Sequence, residues 1–83
     1  MQTIFKYPME LHDRSLALPR GAVIRRFAMQ HGLPTVWAEV DSNAPTTTRR
    51  MHIFGTGHSL PEGAIYIDSC EDGAFVWHLF ETF

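Results

Sequence analysis

Apolar and polar residues alternate along this chain over short stretches, and proline or glycine interrupts the alternation every few residues. The breaks fall at Tyr7-Pro8, Leu18-Pro19-Arg20-Gly21, His31-Gly32-Leu33-Pro34, Asn43-Ala44-Pro45, Gly55-Thr56-Gly57, Leu60-Pro61-Glu62-Gly63 and Glu71-Asp72-Gly73. Between them lie Thr3 to Tyr7, Ser15 to Leu18, Val23 to Gln30, Thr35 to Val40, Arg49 to Phe54, Ala64 to Ser69 and Ala74 to Phe83. Most of these pieces are rich in β-branched and aromatic residues, which suit a pleated, half-buried surface. The spacing predicts an all-β chain: an antiparallel meander of about six to seven short strands, closed into a small sandwich or half-barrel.

Ala22 to His31 also fits a helix, because Ile24, Phe27, Ala28 and His31 follow the i, i+3, i+4, i+7 spacing and Gly32 would stop it. No Ser, Thr, Asp or Asn stands at the N-cap position, and the following Gly-Leu-Pro suits a hairpin, so strand is preferred. Residues 41–48, Asp-Ser-Asn-Ala-Pro-Thr-Thr-Thr, form the longest polar stretch and are expected to be a mobile surface loop. The chain thus reads as one β domain over residues 1–83.

Strand alternation divides these segments into two faces. One face carries Val23, Arg25, Phe27 and Met29, then Val36, Ala38 and Val40, then Arg49, Met51 and Ile53, and is the expected core. The other carries Ile24, Arg26, Ala28 and Gln30, then Thr35, Trp37, Glu39 and Asp41, then Arg50, His52 and Phe54. There Trp37 and Phe54 offer flat surfaces for a planar ring, and arginine forks two hydrogen bonds to phosphate or carboxylate. A nucleotide-like ligand would place its rings on Trp37 and Phe54 and its phosphates on Arg26 and Arg50. The competing reading is structural: arginine pairs across strands with Glu39, and the aromatics are covered. The last strand, Ala74 to Phe80, is apolar on both faces, as expected of a strand central to a sandwich or half of a subunit interface, and points to a homo-oligomer.

Composition narrows the function classes. With 83 residues the chain has room for one small domain, and 45% hydrophobic residues suit a folded one. The single cysteine, Cys70, excludes an internal disulfide and fits a reducing compartment. No apolar run reaches the roughly 18 residues of a membrane span. A net charge of −2 gives no global attraction to nucleic acid or to anionic membranes. The two Arg-Arg pairs, 25-26 and 49-50, split across sheet faces instead of forming the basic stripe that duplex DNA requires.

Gly55-Thr56-Gly57-His58-Ser59 is the most site-like local feature. Its glycines permit an anion nest with the Thr56 hydroxyl and His58 ring nearby, but the same spacing also makes a tight turn. No lysine follows, as a phosphate loop would need. The histidines at 12, 31, 52, 58 and 78 show no ligand-pair spacing, so no metal is predicted, although the glycine loop could bring His52 and His58 together with Cys70 as a third ligand. Glu71 and Asp72 beside Cys70 disfavour its thiolate, and no nucleophile elbow exists, so an enzyme is not expected, nor a cofactor. The ligand-binding set is therefore Arg26, Trp37, Arg50, His52, Phe54, Thr56 and His58.

Four blocks carry a resemblance: Phe5 to Glu10 (FKYPME), Leu18 to Ala22 (LPRGA), Gln30 to Asp41 (QHGLPTVWAEVD) and Ile53 to Pro61 (IFGTGHSLP). Together they resemble a family of small phage and prophage proteins of unknown function. Matching the pattern are Gln30, Gly32, Pro34, Trp37, Asp41 and Gly55 to His58, while the 43–48 loop and the chain end depart from it. The resemblance implies a phage accessory protein in the host bacterial cytoplasm, antagonising host defence. As a sponge it would sequester a nucleotide-derived immune signal of cyclic oligonucleotide or ADP-ribose type. An alternative is an inhibitor that covers a defence complex such as a CRISPR effector, with Glu62, Asp68, Glu71 and Asp72 imitating phosphates. A third is a structural or regulatory phage protein without a small ligand.

Overall fold

The computed structural model describes residues 1–83. Eight strands follow in order: β1 (Gln2–Pro8), β2 (Leu16–Pro19), β3 (Val23–Gln30), β4 (Leu33–Asp41), β5 (Thr46–Arg49), β6 (Met51–Gly55), β7 (Ile65–Asp72) and β8 (Phe75–Glu81). They form three antiparallel sheets, ordered β1-β4-β3, β2-β5 and β6-β8-β7. No helix is present, and Ala22 to His31 is strand and turn, in agreement with the alternation. No helix is therefore long and apolar enough to cross a membrane.

The β3–β4 hairpin shows why strand wins there. His31 and Gly32 both have positive φ, 52° and 77°, and a two-residue hairpin turn with both central residues in that region matches the twist of the flanking strands. The β7–β8 hairpin places Gly73, φ 58°, at its first turn position, where a two-residue hairpin turn with positive φ at that position alone favours glycine.

Two departures from strict alternation rearrange the expected faces. In β3 the register against β4 shifts between Ile24 and Arg26. Arg25 is the extra residue of this bulge, so the chain changes phase. Ile24 and Phe27 both reach the core, Val23 is 45% exposed, and Arg25 and Arg26 both lie on the solvent side. The expected core set is thus corrected at Val23 and Arg25, while Phe27, Val36, Ala38, Val40 and Met51 are buried as expected.

The second departure is at Arg50. Residues Thr46–Arg49 pair with β2, whereas Met51–Gly55 pair with β8. The segment read as one strand, Arg49 to Phe54, therefore changes partner in its middle. The 41–48 stretch is corrected as well: β4 runs to Asp41 and β5 begins at Thr46, so only residues 42–45 connect them. A run of threonines has good strand propensity despite its polarity, and β2 supplies its ladder. The switch is pinned by Arg49, which faces inward, bonds both oxygens of Glu81 at 2.9 and 2.7 Å, and donates to the Ala22 carbonyl.

The core gathers Met9, Leu18, Ala22, Phe27, Val36, Ala38, Val40, Met51, Cys70 and Leu79. The shortest axis of the molecule is 17 Å, enough for two sheet layers about 10 Å apart and little more. The outer faces of the two three-stranded sheets therefore remain open to solvent. Asp68 joins the layers: its Oδ2 accepts the Phe27 N–H at 3.0 Å and its Oδ1 the Ser69 N–H at 2.8 Å. β7 has its own bulge between Tyr66 and Asp68, which turns that carboxylate toward β3.

Candidate ligand-binding face

The outer face of the β6-β8-β7 sheet is built in rungs by the strand register. His52 lies opposite Phe80, and Phe80 opposite Tyr66; in the next rung Phe54 lies opposite His78, and His78 opposite Ser69. The rings meet: His52 and Phe54 stack at 5.9 Å, Phe54 meets Phe80 edge-on at 5.6 Å, and Tyr66 meets Phe80 edge-on at 5.5 Å. These separations are those of favourable aromatic pairs.

A polar chain crosses the same face. Tyr66 Oη lies 2.9 Å from Ser69 Oγ, Ser69 Oγ 2.7 Å from His78 Nδ1, and His78 Nε2 2.9 Å from Thr56 Oγ1. One assignment satisfies every member: Tyr66 donates to Ser69, Ser69 to Nδ1, Nε2–H to Thr56, and Thr56 to the Val76 carbonyl at 3.5 Å. Both ring nitrogens of His78 are occupied by hydroxyls, with no carboxylate to orient the imidazole as in a catalytic triad. The arrangement presents fixed hydroxyls and rings.

The Gly55–His58 segment borders this chain as a tight turn. His58 N–H donates to the Gly55 carbonyl at 3.1 Å, and Gly57 has φ +90°, as the third position of a type II turn requires. Gly55 N–H donates to His58 Nδ1 at 3.2 Å. Two of the backbone donors that an anion nest would need are thus spent within the turn, and the turn reading holds. A Cβ at Gly55 would lie 3.0 Å from His58 Cε1 and 3.3 Å from Trp77, so glycine lets both rings close over the backbone.

Two hollows meet at Phe54. One, of about 240 Å³, is lined by Phe54, Thr56, His58, Tyr66, His78 and Phe80, among others. The other, of about 150 Å³, includes His12, Asp13, Arg14, His52 and Phe54, and the Asp13 carboxylate in it accepts the Glu10 N–H at 2.9 Å and enters no ion pair. Burial pushes the His52 imidazole below its ordinary pKa, and the charges of Arg14 and Arg50 push it further. Neither arginine takes part in the ion pairs of the molecule, which are Met1 with Asp41, Arg25 with Glu39, and Arg49 with Glu81. A basic corner thus adjoins an aromatic hollow.

The seven residues expected to form one site are therefore divided. Phe54, Thr56 and His58 line the larger hollow, His52 the smaller, and Arg50 borders His52. Arg26 and Trp37 lie on the other three-stranded sheet, where the Arg26 guanidinium sits 5.5 Å above the Trp37 ring. The strand split placed Arg26, Trp37, Arg50, His52 and Phe54 on one face because it treated three sheets as one, and the glycine turn added Thr56 and His58. It also missed Tyr66, Ser69, His78 and Phe80 from β7 and β8, and Arg14 from the β1–β2 connection. The last strand reads as apolar on both faces, and only its pairing with β6 shows which residues His78 and Phe80 join.

The structural reading of the arginines holds for their neighbours: Arg25 bonds Glu39 at 3.0 and 2.8 Å, and Arg49 bonds Glu81. The acidic set is broken up as well. Asp68 is spent on backbone donors and Asp72 accepts the Trp77 indole N–H at 3.2 Å, leaving Glu62 and Glu71 exposed.

Comparison with known proteins adds a family. The description "Domain of unknown function (DUF7352)" matches residues 1–83. The chain belongs to that family. Comparisons with curated proteins and with solved structures return no match. The match spans every strand of the fold, so all three sheets are part of the family's domain.

Proposed function

We propose that this chain is a binding domain that sequesters a nucleotide-derived small molecule on the outer face of its β6-β8-β7 sheet, without chemistry on the ligand. The observation that carries this reading is the double role of Phe54, which walls both an aromatic, hydroxyl-lined hollow and a hollow containing Arg14 and His52. A planar base fits among Phe54, Tyr66 and Phe80, where stacking contributes about 1–3 kcal/mol per base. Its polar edge meets Thr56, His58 and His78. A phosphate fits toward Arg14 and Arg50, which carry no carboxylate partner.

Trp37 and Arg26 drop out of the ligand set in this reading, since the guanidinium already lies over the ring. The biological setting, a phage accessory protein that withholds a defence signal in a bacterial host, is the part of the proposal that rests on sequence resemblance. A homo-oligomer would let a second subunit close the open side of the hollow.

The test is a thermal-shift and calorimetry panel of cyclic di- and trinucleotides and ADP-ribose. A true ligand at one hundred times its Kd stabilises the fold by about 2.7 kcal/mol. Phe54→Ala and the Arg14→Ala, Arg50→Ala double variant should each abolish the shift, and Trp37→Ala should leave it intact. Absence of any shift across the panel, or a shift lost only with Trp37, overturns the reading.

A further inference from the structure

The β7–β8 hairpin carries a second, chemically opposite hollow on the other face of the same sheet. It measures about 510 Å³ and is lined by Phe75, Trp77, Val76 and the Gly55–His58 turn. Phe75 and Trp77 alternate onto the same side as the buried Leu79; Trp77 packs against the core, and Phe75 is 61% exposed. Their rings stack at 5.5 Å with an angle of 15°. The stack thus holds the Phe75 ring in solvent against the Trp77 indole.

A carboxylate stands beside it. Asp72 is the direct cross-strand partner of Phe75, and its Oδ2 accepts the Trp77 indole N–H at 3.2 Å. The second oxygen, Oδ1, makes no hydrogen bond within the chain, and neither Asp72 nor the neighbouring exposed Glu71 enters an ion pair. No lysine or arginine lines the hollow. Along the sheet the charge is therefore polarised: Arg14, Arg50 and His52 stand at the Met51 end of β6, and Asp72 and Glu71 stand beyond its Gly55 end.

We propose that this hollow receives the guanidinium group of an arginine side chain from a partner protein, stacked on Phe75 and Trp77 and bonded to Asp72 Oδ1. The negative faces of aromatic rings attract cations. Guanidinium matches better than ammonium because it is planar, weakly hydrated and able to stack while its edge forks toward a carboxylate. Charge complementarity selects this occupant over an anion, which the basic end of the sheet would draw instead. The site borders the nucleotide hollow at Gly55, Thr56 and His58 but shares neither Phe54 nor the basic corner, and its own recognition groups, Phe75, Trp77 and Asp72, lie outside that hollow.

The test uses the full chain in a Trp37→Phe background, so that the remaining indole N–H signal reports Trp77. Titration with the peptide acetyl-Gly-Arg-Gly-amide should move that signal saturably. The citrulline peptide, uncharged and of the same shape, should bind about tenfold more weakly or worse. Asp72→Asn, which keeps an acceptor for the indole, and Phe75→Ala, which removes an exposed ring, should each produce a similar loss while the amide spectrum stays folded. Equal binding of the citrulline peptide, a stronger response to the lysine peptide, no saturable shift, or indifference to Asp72→Asn each overturns the proposal. A concentration-dependent dimer that Asp72→Asn dissolves overturns a foreign partner in favour of a second copy of this chain.

Discussion

The two three-stranded sheets have the same strand number and the same antiparallel order of a late strand between two others, yet they finish their solvent faces differently. On the β1-β4-β3 sheet, Arg25 pairs with Glu39, Lys6 donates to Gln30 at 2.8 Å, and Arg26 covers Trp37. These charged groups have partners that water screens, although Ile4, Phe5 and Val23 of the same sheet remain exposed. On the β6-β8-β7 sheet the outer rungs are rings and hydroxyls, with Arg14 and Arg50 left without carboxylates. On the first face the charged groups pair with one another; on the second the hydroxyls and His78 satisfy one another, and the arginines at its edge have no ion-pair partner. The two faces of this thin protein thus differ in how their polar side chains are partnered, more than in which residue types they contain.

The comparison is most sharply tested through the inner side of the second sheet. Leu79, the fully buried residue of β8, anchors the aromatic face from below. Leu79→Ala should cost about 3 kcal/mol, read as a lower urea midpoint, and should weaken ligand binding only through loss of fold. If binding vanished while stability held, the outer face would depend on β8 geometry rather than on its own rings.

Next is the Arg49–Glu81 pair, whose side chains are only 24% and 18% exposed. Glu81→Gln should cost about 2 kcal/mol, since it leaves a partly buried guanidinium with the Ala22 carbonyl and a neutral amide. Arg25→Ala on the other sheet breaks a pair that is 56% and 42% exposed, and should cost less than about 1 kcal/mol. Comparable losses at the two sites would contradict the division between a pinned switch and a solvated face.

Gly55→Ala should displace the His58 ring and cost about 1 kcal/mol while disturbing the hollow, because the added Cβ is too close to that ring and to Trp77. Unchanged binding in a nucleotide titration would show that His58 is not part of the recognition edge.

The smallest effect is a pH dependence. The folded His52 pKa is lowered from its ordinary value of 6.5, first by burial, then by Arg14 and Arg50. Just below that value the unfolded chain binds a proton that the folded chain refuses, so stability is full above it and falls with acidification until the folded pKa is passed. His52→Gln should flatten the urea midpoint between about pH 7 and pH 5. Arg14→Ala should flatten it in part, by letting the folded imidazole protonate more readily. A slope unaltered by either variant would separate His52 from the basic corner.

The strand boundaries were largely legible because Pro and Gly mark the turns and because alternation fixes which residues share a face. Phe27, Val36, Ala38, Val40 and Met51 follow directly from period two. The bulge at Arg25 was not legible, since one extra residue inverts the phase without altering the pattern of types. Nor was the change of partner at Arg50, because Thr46 to Gly55 alternates continuously through it.

The site shows the same boundary between local and non-local information. Phe54, Thr56 and His58 were named from neighbouring sequence, and the turn keeps them together. Tyr66, His78 and Phe80 are remote in sequence and join them only through the β6–β8 and β7–β8 registers. Trp37 and Arg26 were drawn in by residue type and lie on another sheet, against each other.

By itself, the sequence determined an all-β chain of short antiparallel strands, its tight turns and most of its core, because these depend on residues within a few positions of one another. Tertiary structure alone decided the division into three sheets, the phase of β3, and which rings, hydroxyls and arginines face a common hollow. Those depend on hydrogen-bond register between distant strands, and a side-chain period of two is the same whichever partner a strand takes.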